Sequence, residues 1–132
     1  MNYLKEEYGR FLLRWSMALV FIIFGIMQVY APTNWTGFVP AFVANILSPA
    51  TIVLINGSVE IFLGLLLLFG LYTRIAALIL GLHLFGITLS LGLSPLALRD
   101  FGLSLATLSL VFLGPDRLCL DMRKKKTKAK KV

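Results

Sequence analysis

Four apolar runs, each long enough to cross a bilayer as a helix, occupy most of this 132-residue chain. They are Arg14–Ala31, Thr51–Gly70, Arg74–Leu91 and Leu96–Leu113. About 20 predominantly apolar residues suffice for one helical span. In hydrocarbon every backbone amide and carbonyl must find its partner within the protein, so each run reads as a helix. The expected fold is therefore all-α, a four-transmembrane-helix bundle. Composition argues against a water-soluble alternative: 58% of the residues are hydrophobic, only 14% are charged, and mean hydropathy is +0.87. Pro32, Pro49, Pro95 and Pro115 flank the runs, where a missing amide donor is tolerated. The organisation expected is one membrane domain over residues 1–121, followed by a basic tail at 122–132.

The net charge of +7 is unevenly placed. Lys5, Arg10 and Arg14 precede the first run, Arg74 sits at the second turn, and Arg117 opens the C-terminal basic segment. Four crossings bring these regions to one face and leave only Arg99, of 13 basic residues, near the other. The positive-inside rule then puts both termini in the cytoplasm of a multi-pass cell-membrane protein. The block Arg123–Lys131 fits a contact with anionic membrane lipid. It lacks interleaved aromatics or a folded reading surface, so no nucleic-acid partner is expected. The first run is long for the core of a signal peptide, and Ala31–Pro32 is a poor cleavage site, so retention of this run as a span is expected. Cys119 is the single cysteine, which excludes an internal disulfide or a C-x-x-C redox motif; packing at the cytoplasmic end of the last span is its simplest role.

The connection Pro32–Ala50 carries no charge but holds Trp35, Phe38, Phe42 and Ile46. Positions 38, 42 and 46 can share one face of a short helix, with Val39 and Val43 beside them. This external amphipathic segment is expected to lie at the interface or to cap the bundle as a re-entrant element, with Trp35 as an anchor. The turn Leu71–Thr73 is so short that the second and third spans must be antiparallel neighbours. Gly57, Gly64, Gly81 and Gly86 permit close packing of these spans.

Ionisable residues inside apolar spans are costly to bury and mark candidate sites. Glu60 lies mid-span in the second run, and His83 at similar depth in the third. Asn56, four residues before Glu60, shares its helix face, and Gln28 in the first span can extend the polar surface. Glu60 and His83 are the candidate catalytic pair; Asn56 and Gln28 join them as candidate contacts to a cofactor. The set could relay a proton, hydrogen-bond a quinone oxygen, or hold a polar substrate in an apolar pocket. It could equally satisfy buried polar groups and select helix packing. One His and one Glu make a poor metal site. Arg99 and Asp100, at the external end of the fourth span, are candidate substrate contacts or a structural pair. Ser104 and Thr107 can back-bond to their own helix.

Gly57–Arg74 reads GSVEIFLGLLLLFGLYTR and is followed by IAAL at Ile75–Leu78. This stretch resembles the centre of the DoxX-like membrane protein family, at Glu60, Gly64, Gly70, Arg74, Ala76 and Ala77. Arg99–Asp121 is similar to that family's last helix and its GPG-SLD-like ending, with Asp116 in place of the second glycine and Cys119 at the serine-like position. The resemblance extends over about Phe11 to Asp121. It implies a four-helix membrane bundle, a central role for Glu60 and a structural cytoplasmic contact for Arg74. Subunits linked to thiosulfate:quinone oxidoreduction belong to that family. The leading expectation is a membrane redox-complex component that binds a quinone or related lipid-soluble small molecule near Glu60, with electrons supplied by another protein. The alternatives are a small-molecule transporter or lipid-binding module, and a structural assembly subunit. The partners expected are a homodimer, which four spans make attractive for a transporter, or a larger redox complex.

Overall fold

The computed structural model describes residues 2–131. Six α-helices and one 3-10 helix follow one another: α1 (Asn2–Tyr30), the 3-10 helix (Pro32–Phe38), α2 (Ala41–Ala44), α3 (Pro49–Phe69), α4 (Thr73–Leu91), α5 (Pro95–Leu113) and α6 (Leu120–Lys130). α1, α3, α4 and α5 are each long and apolar enough to cross a membrane, and only 28–33% of each apolar window is buried inside the bundle. The remainder, including Phe62, Leu82 and Phe112, points outward. A surface of that kind is at home in lipid, and the chain is a multi-pass membrane protein.

Local signals delimit the spans. Ser48 and Ser94 cap α3 and α5, accepting the amides of Thr51 and Ala97 at 3.4 and 3.1 Å, and each is followed by a proline in the first helical turn. α3 ends at Gly70, whose φ of 71° lets Leu71 N–H return to the Leu66 carbonyl at 2.8 Å. Tyr72, at φ 49°, follows in the same left-handed region, so the chain reverses at once into α4. The first amides of α4 are capped from far along the chain: Asp121 accepts Tyr72 N–H and Thr73 N–H, both at 3.0 Å.

α1 packs chiefly against α3, and α4 against α5; contacts of α1 with α5 and of α3 with α4 close the bundle. Met17, Phe21, Leu63, Leu67, Leu80 and Leu110 form its apolar centre. The small residues act unevenly. A Cβ on Gly81 would meet the Leu108 side chain at 2.7 Å, whereas Gly86 has nothing within 4 Å, so its expected packing role is not realised.

α1 begins at Asn2, ahead of the expected span, and Glu7 in its early turns accepts Arg117 N–H at 3.0 Å. The basic segment after Asp121 is helical as far as Lys130. One expectation changes. Residues 38, 42 and 46 do not share one helix. Pro40 has no amide donor and disfavours helical geometry at Val39, so the chain is extended there and splits the segment in two. Trp35 meets Phe24 of α1 edge-on with ring centroids 5.7 Å apart and lies 5.7 Å from Phe38.

The α3–α4 turn and the α5–α6 connection meet at one end of the bundle, around Arg14. Its guanidinium is 2% exposed and donates to Asp116 Oδ2 at 2.7 Å, to Asp116 Oδ1 at 3.3 Å and to the Leu67 and Leu68 carbonyls at 2.8 and 2.5 Å. These bonds engage two carbonyls in the last turn of α3, of which Leu67 also accepts Gly70 N–H, and pin the α5–α6 connection to α1. Burial alone would raise the Asp116 pKa, but the hydrogen bonds and charge of Arg14 outweigh it and hold the carboxyl below its ordinary value. Nearby, Cys119 is fully buried against Gly70, where a Cβ would lie 2.6 Å from its sulfur. Burial pushes its thiol pKa up against the lowering effect of the nearby Arg14 charge, which suits a packing cysteine.

A depressed carboxyl pKa stabilises the fold above the unfolded value and loses that contribution as pH falls through the folded one, here below about pH 4. In detergent, the unfolding midpoint of the wild type is expected to drop on acidification through that window. Asp116→Asn should cost about 3–5 kcal/mol at neutral pH, because it strands a buried guanidinium, and should flatten the acid drop. An equal acid drop in both proteins would put the sensitivity elsewhere.

Candidate functional site

The polar centre of the bundle arises where α1 and α3 approach most closely. A Cβ on Gly57 would lie 2.8 Å from the Gly25 carbonyl oxygen, and one on Gly25 would lie 2.7 Å from that of Gly57. One turn beyond Gly57 on α3 stands Glu60; one turn beyond Gly25 on α1 stands Gln28. The contact between two glycines therefore brings the two long polar side chains together. Asn56, one turn before Glu60, completes the set.

The three side chains form a closed ring of hydrogen bonds. Gln28 Nε2 donates to Glu60 Oε2 at 2.9 Å. Asn56 Nδ2 donates to Gln28 Oε1 at 2.7 Å and to Glu60 Oε1 at 3.1 Å. Gln28 and Glu60 are buried, 7% and 4% exposed. Each carboxylate oxygen thus has one fixed amide donor, which holds the Glu60 head in a single orientation. His83 completes the neighbourhood from α4. Its Nε2 lies 3.7 Å from Glu60 Oε1, too far for a direct hydrogen bond, and has no partner among the described residues although the atom is buried. The imidazole as a whole is 34% exposed, so one edge faces the carboxylate and another reaches the bundle surface.

All four residues singled out in the spans therefore come together. Arg99 and Asp100 do not join them by any hydrogen bond. Arg99 places both Nε and Nη2 3.0 Å from Asp100 Oδ1, a neighbour pair that adjacency alone did not establish. Its guanidinium lies 5.8 Å from the centroid of Phe24, the ring that also meets Trp35. Asp100 is buried while Arg99 is half exposed, so the pair forms a second cluster, on α5 against α1. Ser104 and Thr107 spend their hydroxyls on the carbonyls of Phe101 and Leu103. Among the described residues no three His, Cys, Asp or Glu side chains converge as a metal site would need.

Sequence reasoning missed the Arg14–Asp116 pair and the Asp121 cap. A signal was present: both acids follow the last span, at the same end as Arg14 and the α3–α4 turn, in a chain with only six acidic residues. The reasoning that gathers the cations at one face gathers these carboxylates with them.

A family model described as DoxX matches residues 9–93, well over half of the chain. The matched stretch includes Gln28, Asn56, Glu60 and His83 and ends before Arg99–Asp121. No curated protein and no solved structure matches the chain.

The hydrogen-bonded ring predicts strong coupling across α1 and α3. In a double-mutant cycle of Gln28→Leu and Glu60→Leu, read by unfolding in detergent, a coupling of about 1–2 kcal/mol is expected, above the roughly 0.6 kcal/mol average for polar pairs in membrane bundles. Additive effects would mean that the bond is not formed in the folded protein.

Proposed function

The chain belongs to the DoxX family, and from that premise we propose that it is a component of a membrane redox complex that holds a quinone or related lipid-soluble ligand beside Glu60. The observation that carries this reading is the buried, unpartnered Nε2 of His83, 3.7 Å from a carboxylate whose two oxygens are already steadied by amides. An orphaned polar atom in a hydrocarbon environment is costly, and a ligand oxygen would satisfy it. The residues fit a quinone headgroup: His83 can donate to a carbonyl oxygen, and Glu60 can hold the proton that such a donor needs restored. A quinone, when bound, supplies reversible two-electron, two-proton chemistry.

The chain's own part is to orient and to handle protons. Gln28 and Asn56 fix the Glu60 carboxylate so that Oε1 faces the imidazole, and a proton moving between them stays within the bundle. Access from the lipid is supported by Gly86. It lies one turn beyond His83 on α4, is exposed, and leaves open space where a side chain would stand. The single cysteine cannot ligate an iron–sulfur cluster, so electrons would come from a partner protein. In this reading the basic end is cytoplasmic by the positive-inside rule, which puts Arg14, Asp116 and α6 on that side.

A structural reading has its own observation: the same ring ties α1 to α3, whatever binds nearby. Purification in native lipid followed by identification of co-purifying small molecules separates the two, with Glu60→Gln compared against the wild type. A quinone is expected with the wild type and at least tenfold less in the variant. A reproducible non-quinone ligand would move the assignment to transport or lipid binding. No ligand in either protein, with partner association intact in both, would leave an assembly subunit.

A further inference from the structure

Two clefts at the basic end share Arg123, and together they have the chemistry of a phospholipid. The larger, about 460 Å³, lies between the first turns of α1, the α5–α6 connection and α6. Arg10, Arg117, Arg123 and Lys126 line it, opposed by a single acid, Glu7. That acid is already engaged, accepting Arg117 N–H at 3.0 Å and lying 3.7 Å from Arg10. The Arg117 guanidinium lies over the Tyr3 ring, 4.7 Å from its centroid, which holds it at the cleft. The balance is a strong excess of positive charge around a concavity of headgroup size.

The second cleft, about 360 Å³, is largely apolar. Phe11 and Trp15 of α1, Leu68 and Phe69 at the end of α3, and Leu118 and Leu120 line it, together with Arg123 and with Arg14, whose charge is already paired with Asp116. Its α1 aromatics follow directly on Glu7 and Arg10, which face the first cleft. A polar anion would use only the first cleft. An acyl chain without negative charge would use only the second. Arg123 lines both, so a basic concavity stands beside an apolar one, which matches an amphiphile with an anionic head.

We propose that this composite cleft is a specific site for an anionic phospholipid, with the phosphate diester among Arg10, Arg117, Arg123 and Lys126 and an acyl chain along Phe11, Trp15 and Phe69. The site goes beyond diffuse attraction of a basic tail, because it uses α1 and the α5–α6 connection as well as α6. It is independent of the Glu60 reading and lies away from that ring.

The test uses the full chain, stripped of lipid in detergent. Trp15 is the reporter, in a Trp35→Phe background, and the probe is phosphatidylglycerol with brominated acyl chains. Saturable quenching of Trp15 is expected, with phosphatidylcholine of the same chains binding at least tenfold more weakly. The triple variant Arg117→Gln, Arg123→Gln, Lys126→Gln should weaken phosphatidylglycerol binding at least tenfold. Lys128→Gln, Lys130→Gln, Lys131→Gln removes the same charge outside the cleft and should change it less than twofold. Equal losses in the two triple variants would overturn the site in favour of diffuse electrostatics. Displacement of the lipid by millimolar inorganic phosphate would reduce it to an anion site, and absent Trp15 quenching would remove the acyl-chain half.

Discussion

The close approach of α1 and α3 across Gly25 and Gly57 sets the register on which the polar contacts of the bundle depend. In antiparallel order, Gly25 faces Gly57, Ala18 faces Gly64, and Arg14 reaches Leu67 and Leu68. One alignment therefore delivers Gln28 to Glu60 near mid-span and a guanidinium to the carbonyls of the last turn of α3. Lipid offers no hydrophobic drive for helices to associate, so backbone proximity and hydrogen bonds must supply it. Small residues permit the proximity, and buried polar side chains supply the bonds.

The two polar centres solve different problems. At the basic end a full ion pair, Arg14 with Asp116, is matched by extra donors and acceptors until no charged atom of the pair is left without a partner. That arrangement suits a permanent fastening of α1, α3 and the α5–α6 connection. The central ring is complete around Glu60 but stops at His83, whose Nε2 is left without a partner. The difference between a saturated network and one with a remaining gap is the physical reason to look for a ligand at the second and not at the first.

The basic end also shows how one short segment serves several elements. Gly114 turns the chain out of α5, Asp116 meets Arg14, Cys119 fills the space over Gly70, and Asp121 caps α4. The left-handed Tyr72 is held by that cap and by Lys124, whose ammonium lies 5.7 Å from its ring centroid. The eight residues Gly114–Asp121 thus bind three helices, while α6 continues outward with its cations exposed.

Much of the architecture was legible in the order of residues, because lipid imposes a simple rule. Runs of apolar side chains must be helices, prolines flank them, and the distribution of Lys and Arg groups their ends. Glu60 and Asn56 were readable as one face, since a four-residue spacing in a helix decides that locally. The external segment was misread because the 38, 42 and 46 periodicity competes with Pro40, and a local steric bar outweighs a weak amphipathic pattern. The Gln28–Glu60 bond, the gap at His83 and the Arg14–Asp116 pair required the tertiary structure. They depend on helix rotation and register, which are set by where two backbones can touch, and no periodicity along one helix encodes the orientation of its neighbour.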